Sequence, residues 1–372
     1  MKKNSADKIL IIDIMLLLVF GLIMISSVSV VISYNNFGHN YYYLTHQLLY
    51  GVVPGSILML ILKGIDYRIY KKYAHLFFFA AIFLLLVVFL PGLGFETKGA
   101  SRWIVLGDLS FQPSELAKLA FIIYFANWLS MKERELKNFE KGFLPFILIV
   151  AIIALPLIIQ PDIGTMIVIV MIAVAMFYAG GANTSHLPLL FAGAILVIFS
   201  LIKLAPYRVD RLMVFLHPEL DPRGIGYQIN QALLALGSGG IFGLGYGHSR
   251  QKFNYLPEPM GDSIFAIIGE EMGFVGLIIL ITLFIIFAKR GFEVAKNAPD
   301  NFGKFMAFGI TSWIAFQAVI NICAITSLAP LTGIPLPLIS YGGSSLVVSL
   351  MGMGILLNIS KHSIRNNVRK AF

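Results

Sequence analysis

The sequence predicts an all-α protein that crosses a membrane about ten times, and three observations support this fold class. Of the 372 residues, 58% are hydrophobic and 13% are charged, and the mean hydropathy is +0.83. Soluble domains, by contrast, carry about 25% charged residues. The apolar residues occur in long uninterrupted runs, which is typical of membrane spans. The basic residues are concentrated in alternate connecting segments, a pattern that membrane topology produces.

Each spanning helix needs about 20 apolar residues to cross a hydrocarbon core of about 30 Å. The first apolar run follows a basic start, as in a signal peptide, but it is long enough to span the bilayer and no small-residue cleavage site follows it. We therefore expect it to be retained as the first span. The predicted spans are 9–33, 46–64, 74–90, 114–130, 143–160, 165–181, 188–205, 263–288, 303–326 and 344–360.

The distribution of lysine and arginine predicts that both termini lie in the cytoplasm. In that orientation 19 of the 28 basic residues fall in inner segments and seven in outer loops, as the positive-inside rule expects. The seven are confined to the loops 91–113 and 206–262. The second loop, between spans 7 and 8, is far longer than its neighbours, and long loops in compact folds are usually functional. No internal repeat is visible, so we treat residues 1–372 as one integral-membrane domain.

Composition and spacing exclude several classes of site. The single cysteine, Cys323, allows neither a disulfide framework nor a cysteine-based metal site. His217 and His248 lack metal-ligand spacing, and the glycine-rich stretch of the long loop has no GKS or GKT, so a nucleotide site is not expected. Because the basic residues are spread over several short loops, they do not indicate a nucleic-acid-binding surface. The segment YQINQALLALG instead predicts an amphipathic helix on the outer membrane surface.

The first outer loop and the span after it contain two pairs of charged residues. Lys98 and Arg102 are four residues apart and are able to grip a phosphate or to contact lipid headgroups. Glu115 and Lys118 have helical i, i+3 spacing and are expected to form an intrahelical ion pair. Because Lys118 lies a full turn inside a span, where charges usually face a cavity, a role in a polar site is the alternative.

Two further segments place carboxylates at the outer ends of spans. Asp162, in QPDIGT, is expected to cap the next helix or to line a pocket. Asp262, in YLPEPMGD, comes where the eighth span begins, four residues after Glu258. The alternatives for Asp262 are a helix N-cap and an ionised base at the water–lipid boundary. Glu270 and Glu271 lie two turns deeper on different faces, and we expect at least one to face the bundle interior.

Several of these segments together resemble the SEDS family (shape, elongation, division and sporulation), which includes FtsW, RodA and SpoVE. The matching segments are KGASRWI, FQPSELAKL, QPDIGT, SRQKFNYLPEPMGDSIFAIIGEEMGFVG and TGIPLPLISYGGSS. Their order and spacing agree over essentially the whole chain, and the fourth and fifth look closest to the FtsW/SpoVE branch. The family's usual Thr-Asp-Phe is replaced here by Gly261, Asp262 and Ser263, so the acid is retained in a different local setting.

The resemblance implies a peptidoglycan glycosyltransferase of the bacterial cytoplasmic membrane, which polymerises lipid II into glycan strands at the outer face. It implies a class B penicillin-binding protein and other division or elongation proteins as partners. By resemblance Asp262 matches the family's essential aspartate and Glu258 its loop glutamate. Polar positions around the central cavity are matched by Lys98, Arg102, Glu115, Lys118 and Asp162.

The expected reaction is an inverting glycosyl transfer. Asp262 would deprotonate the acceptor hydroxyl of lipid II, and the donor would be a strand linked to undecaprenyl pyrophosphate. The departing pyrophosphate requires positive charge, from Lys98, Arg102, Arg208 and Arg211 or from a divalent cation such as Mg²⁺ or Mn²⁺. A lipid II flippase and a non-catalytic scaffold of the division machinery are the alternative functions. The sequence does not distinguish division from elongation or sporulation.

Overall fold

The structure is a computed structural model that describes residues 5–90, 94–97, 100–106, 109–204, 213–221 and 224–363. Its described residues are mostly helical, as the hydropathy predicts. The helices are α1 (Lys8–Val28), α2 (Val30–Phe37), α3 (Tyr42–Gln47), α4 (Val53–Gly64), α5 (Arg68–Lys72), α6 (Ala74–Val87), α7 (Pro113–Lys132), α8 (Leu144–Ile159), α9 (Ile163–Ala179), α10 (Leu187–Leu204), α11 (Ile225–Ser238), α12 (Ile264–Lys296), α13 (Asn301–Ile325) and α14 (Gly343–Lys361). Short π-helical turns, Leu48–Val52 and Phe139–Phe143, precede α4 and α8.

Helices occupy all of the predicted apolar segments, because an uninterrupted apolar run has few other ways to satisfy its backbone in lipid. Among the described residues, six helices are long and apolar enough to cross a membrane. These are Lys8–Val28, Tyr42–Gly64, Phe139–Ile159, Ile264–Lys296, Asn301–Ile325 and Gly343–Lys361. Two shorter apolar helices are Ala74–Val87 and Ile163–Ala179.

The all-α prediction was wrong for the first outer loop, which forms a small antiparallel sheet. Its strands are β1 (Gly94–Thr97), β2 (Ala100–Leu106) and β3 (Leu109–Phe111), in the order β1-β2-β3. In the register of the sheet, Ile104 of β2 lies opposite Gly94 on one side and Phe111 on the other. Strands of three to seven residues give a much weaker periodic signal than a spanning helix, which is why the sequence did not reveal them.

The centre of the bundle is formed by α13 and α14. In their most apolar stretches 61% and 78% of the residues are buried, against 17% in the stretch Tyr42–Gly64. Close backbone approach fixes some of this packing. A Cβ added to Gly354 of α14 would lie 2.5 Å from the carbonyl oxygen of Met59, so α4 can pack this closely only against glycine.

Helix α12 is broken at Gly273, whose φ of 65° and ψ of −166° are not helical. The backbone groups freed by the break are bonded by the turn that follows α11. Phe274 and Val275 donate to the carbonyls of Gly240 and Ile241, and Leu244 and Gly245 donate to those of Glu270 and Glu271, at 2.9 to 3.1 Å. The break is therefore filled by protein, the condition under which irregular backbone is tolerated at membrane depth.

The predicted amphipathic helix of the long loop is present as α11, and it packs lengthwise on the first turns of α12. Gln228, near its start, donates to the Ser263 hydroxyl at 3.1 Å. Near its end, the side chain of Leu236 lies against Gly269. The two helices run in the same direction from the Asp262 end of α12, so α11 has a protein neighbour along its length rather than only a membrane surface.

Candidate active site

Asp262 lies directly before the N-cap residue of α12, and its backbone is held by α13 and by the loop between α13 and α14. Three successive carbonyls accept hydrogen bonds from different donors. These are Met260 from the Tyr341 backbone N–H at 2.8 Å, Gly261 from the Ser340 hydroxyl at 2.6 Å, and Asp262 from the Asn321 side-chain amide at 2.8 Å. The chain that carries Asp262 is thus fixed from one side along its length.

The Asp262 side chain is half-buried at the start of α12. Its Oδ1 lies 3.4 Å from the Gln228 amide nitrogen and 3.4 Å from the Ser263 hydroxyl. Its Oδ2 lies 3.9 Å from the position that a Cβ on Gly333 would take. Because Ser263 occupies the N-cap position, the geometry does not use Asp262 as the cap, and the carboxylate faces polar groups at the rim of the bundle.

Glu258 begins the turn that leads into Asp262. Its backbone carbonyl accepts from the N–H groups of Gly261 and Ser263 at 3.0 and 3.3 Å. Its φ of +49° is in the left-handed region, which is uncommon for a non-glycine residue and indicates that the surroundings impose the turn. The Glu258 side chain is exposed beside this turn.

The predicted ion pair of Glu115 and Lys118 is present and is almost fully buried. The Lys118 ammonium lies 2.8 Å from Glu115 Oε1 and 2.8 Å from Gln317 Oε1, and 5.1 Å above the Trp313 ring. The amide nitrogen of Gln317 in turn donates to the carbonyl of Pro335 at 2.9 Å. The pair therefore links α7 through α13 to the loop that holds Asp262.

Asp162 caps α9, and Arg102 holds the turn that contains it. Asp162 Oδ1 accepts from the Thr165 N–H at 3.3 Å, so the capping interpretation is confirmed. Among the described residues its buried Oδ2 has no hydrogen-bond partner. The Arg102 guanidinium donates to the carbonyl of Gln160 at 3.3 Å and to that of Pro161, and thereby attaches β2 to this turn.

The turn at Asp162 reaches the Asp262 side of the bundle through the same loop. A Cβ on Gly164 would lie 2.9 Å from the Thr332 carbonyl, and the next residue, Gly333, adjoins Asp262. The loop 332–342 is thus reached from two directions, by the Glu115–Lys118 pair through Gln317 and by the Asp162 turn, which Arg102 holds, through Gly164. Lys98, Arg208 and Arg211 lie outside the described residues, so their place in the site stays a prediction.

Glu270 and Glu271 are both buried, and they hold the turn that precedes the Glu258 segment. Glu270 accepts from the Ser249 hydroxyl at 2.5 Å and from the backbone N–H groups of Arg250 and Gln251. Glu271 accepts from the Ser27 hydroxyl at 2.7 Å and pairs with Lys252 at 2.9 Å. Of the four acids between residues 258 and 271, Glu270 and Glu271 therefore hold this turn, and Glu258 and Asp262 lie at the rim of the bundle.

Sequence reasoning missed the residues that hold Asp262. Gln317 and Asn321 are buried amides four residues apart within the apolar helix α13. Polar side chains inside a span usually face protein rather than lipid, and this signal could have identified a polar face of α13. Ser340 and Gln228 lie in a loop and a loop helix, where hydroxyls and amides are common and carry no such signal.

The described part of the chain contains no group of three or more histidine, cysteine, aspartate or glutamate side chains able to hold a metal ion. The divalent cation expected from the sequence therefore stays a prediction, and we derive no step through one.

The fold and the site define a polytopic membrane protein with a carboxylate-bearing polar site at one end of its helical bundle. The chain belongs to the FtsW/RodA/SpoVE family, described as "Cell cycle protein", whose profile matches residues 7–365. It is 43% identical over 362 residues to stage V sporulation protein E of Bacillus subtilis, covering 97% of this chain and 99% of that protein. It is 41% identical over 354 residues to a probable peptidoglycan glycosyltransferase FtsW of a Geobacter species, covering 95% and 96%.

Solved structures have the same fold. A chain from a structure described as "Structural coordination of polymerization and crosslinking by a peptidoglycan synthase complex" matches with a TM-score of 0.79 at 27% identity, covering 96% of this chain and 98% of that chain. The rod shape determining protein RodA of Thermus thermophilus matches with a TM-score of 0.71 at 25% identity, covering 97% and 98%.

Proposed function

We propose that this chain is a peptidoglycan glycosyltransferase of the bacterial cytoplasmic membrane that polymerises lipid II, with Asp262 as its general base. One observation carries the proposal. The carbonyls of residues 260–262 are each held by a donor from outside the segment, while the Asp262 carboxylate stays half-buried at the rim. A base must be fixed within reach of the proton it accepts, and this arrangement provides such fixation.

In the proposed reaction the 4-hydroxyl of the GlcNAc unit of lipid II attacks the anomeric carbon of the growing strand. Asp262 accepts the hydroxyl proton as the new glycosidic bond forms, and the bond to undecaprenyl pyrophosphate breaks with inversion. General-base assistance of this kind contributes about 10²–10⁴-fold to the rate. Gln228, whose amide lies beside the carboxylate, orients the oxygen that takes the proton.

The leaving pyrophosphate needs cations at the mouth of the site. We assign this role to Arg102, Lys98, Arg208 and Arg211, four of the seven basic residues of the two outer loops 91–113 and 206–262. Lys118 is already paired with Glu115 and bonded to Gln317. We therefore assign Glu115 and Lys118 as positioning residues, which act on Asp262 through the loop 332–342. Glu258 is assigned to the sugar-facing rim, and Asp162, which is buried and caps α9, is assigned as a positioning residue beneath that rim.

The orientation of the chain follows from its charge distribution. We propose ten spans in one domain, with both termini in the cytoplasm and the long loop 206–262 outside, which puts Asp262 at the outer rim. A class B penicillin-binding protein is the proposed crosslinking partner, together with other division or elongation membrane proteins. The similarity to a chain of a complex that coordinates polymerization and crosslinking supports this assignment.

The test is polymerisation of labelled lipid II by purified Asp262→Asn and Asp262→Ala proteins, with and without a partner transpeptidase and divalent ions. We expect both to lose at least about 100-fold in rate while keeping the wild-type melting temperature. The matched control is Glu219→Gln, which neutralises an exposed acid in the same loop and is expected to retain activity. Strand synthesis at the wild-type rate by a folded Asp262 variant would refute the assignment.

Liposomes that carry lipid II in one leaflet separate the alternative functions. Transfer of lipid II across the bilayer without polymer would support a flippase. Growth supported by an inactive but folded Asp262 variant would support a scaffold.

A further inference from the structure

A groove lies at the opposite end of the bundle from Asp262. The groove opens between the last turns of α9 and α12 and the first turns of α13, with a volume of about 340 Å³. Its apolar wall is formed by Phe292, Phe305, Phe308 and Ala179. The stems of Lys296 and Lys304, with Ala295, complete a lining that is almost wholly apolar, and the Lys304 ammonium lies 5.5 Å above the Phe305 ring. The aromatic wall is therefore bordered by two lysine side chains.

The two lysines give this groove a net positive charge. Both are exposed, and neither forms an ion pair with an acid in the part of the chain that the structure describes. The nearest acids in sequence are already engaged. Glu293 pairs with Arg290, and Asp300 accepts hydrogen bonds from Tyr67 and Arg68. The groove therefore presents cations that its own surroundings do not neutralise.

The groove lies at the predicted cytoplasmic end of the bundle, next to the inner leaflet. The end of α12 at Lys296 lies 34 residues beyond Asp262, and on the orientation that the charge distribution predicts it is cytoplasmic. The cytoplasmic leaflet carries the anionic lipids, and basic pockets between spans on this side bind their headgroups. A phenylalanine-lined groove next to two lysines matches a molecule with one anionic and one apolar end.

We propose that this groove binds an anionic phospholipid of the inner leaflet. The headgroup phosphate lies between the ammonium groups of Lys296 and Lys304, and the upper part of an acyl chain packs on Phe292 and Phe308. A zwitterionic lipid has no net charge to satisfy both lysines, and free phosphate has nothing to place on the aromatic wall. The site is separate from the glycosyl-transfer chemistry, so binding does not depend on Asp262.

The experiment is native mass spectrometry of the purified full-length protein with phosphatidylglycerol or phosphatidylethanolamine added at matched concentrations. The first variant is Lys296→Gln/Lys304→Gln. Its matched control is Lys71→Gln/Lys137→Gln, which removes the same charge from exposed lysines of other predicted cytoplasmic segments. A third variant, Ala179→Phe, fills the groove and leaves both lysines in place. Melting temperatures establish that each variant is folded.

We expect phosphatidylglycerol to bind with a preference over phosphatidylethanolamine. That preference should fall about fivefold for each groove lysine removed, stay within twofold of wild type in the control, and be lost in Ala179→Phe. The proposal is overturned if the control loses as much as the groove variant, since the effect is then general surface charge. It is also overturned if Ala179→Phe binds normally, or if millimolar inorganic phosphate displaces the lipid, since the ligand is then the anion alone.

Discussion

The side-chain amide of Asn321 donates to the carbonyl oxygens of both Asp262 and Ile334, each at 2.8 Å. Asn321 is only 1% exposed, so water does not replace these bonds readily. One buried residue of α13 therefore fixes the backbone of the proposed base against the loop that follows α13. The relationship gives Asn321 a positioning role that can be separated from folding.

Asn321→Ala should lower the turnover number for glycan synthesis by about 10- to 100-fold with little change in KM. The reason is that displacement of a catalytic group by about 1 Å can cost 10²-fold. The measurement is the initial rate of strand synthesis over a range of lipid II concentrations. Asn297→Ala is the control, because its amide bonds the Glu293 carbonyl at the far end of α12. An unchanged turnover number in folded Asn321→Ala would contradict the role.

Lys252→Met should destabilise the protein strongly. The Lys252 and Glu271 side chains are 4% and 0% exposed, and removing one member of a buried ion pair typically costs about 3–5 kcal/mol. Thermal unfolding in detergent measures the effect, and the exposed Lys71→Met is its control. The double variant Lys252→Met/Glu271→Gln should recover part of the loss. If the single and double variants melt at the same temperature, the pair is not what holds the turn.

Gly273→Ala should be destabilising, in contrast to Gly237→Ala. At Gly273 the φ of +65° disfavours any side chain, and a Cβ would lie 2.3 Å from the Gly243 nitrogen. Gly237, in α11, has open space around it, and alanine is favoured over glycine in a helix by up to about 1 kcal/mol. Melting temperatures of the two variants should therefore move in opposite directions. A neutral Gly273→Ala would mean that α12 can close its break.

The stability contributed by Asp300 should depend on pH. Burial opposes ionisation, but hydrogen bonds from Tyr67, the Gly303 N–H and Arg68 keep the pKa of Asp300 below its ordinary value of 3.8. The contribution is therefore fully present above pH 3.8 and is lost as the pH falls below that value. Because Asp300 is partly exposed, Asp300→Asn should cost about 1 kcal/mol at pH 6.

The difference in stability between wild type and Asp300→Asn should become smaller as the pH falls toward 3. Thermal unfolding at a series of pH values measures it. Asp66→Asn is the control, since Asp66 pairs with Arg68 at 3.6 Å and both side chains are exposed. A stability difference that grows in acid would show that the folded protein does not favour the ionised form of Asp300.

The helices could be predicted because hydropathy is a local property of the chain. The break at Gly273 could not, since glycines are common in spanning helices and the cause lies in residues 240–245, about 30 residues earlier in the chain. The same reason hid the sheet of the first outer loop, whose strands depend on their partners. Local signals specify which segments are helical, whereas interruptions are decided by contacts between segments.

The candidate site could be predicted in part, through the charged residues that stand out against an apolar background. Asp262, Asp162 and the pair of Glu115 and Lys118 were found in this way. Their partners Gln317 and Ser340 were not, because an amide or a hydroxyl becomes informative only when its neighbour is known. For Glu270 and Glu271 the sequence predicted that at least one faces the interior, which is confirmed, but it did not show that the fold encloses both.

The segment that leads to Asp262 is tied at both ends. Ser249 to Lys252 are bound by Glu270 and Glu271, and residues 260–262 are bound by Asn321, Ser340 and Tyr341. Between these two anchored ends, the side chains of Phe253, Tyr255 and Glu258 are exposed. When a saccharide binds to such a preformed surface, the protein loses little conformational entropy, and this favours binding.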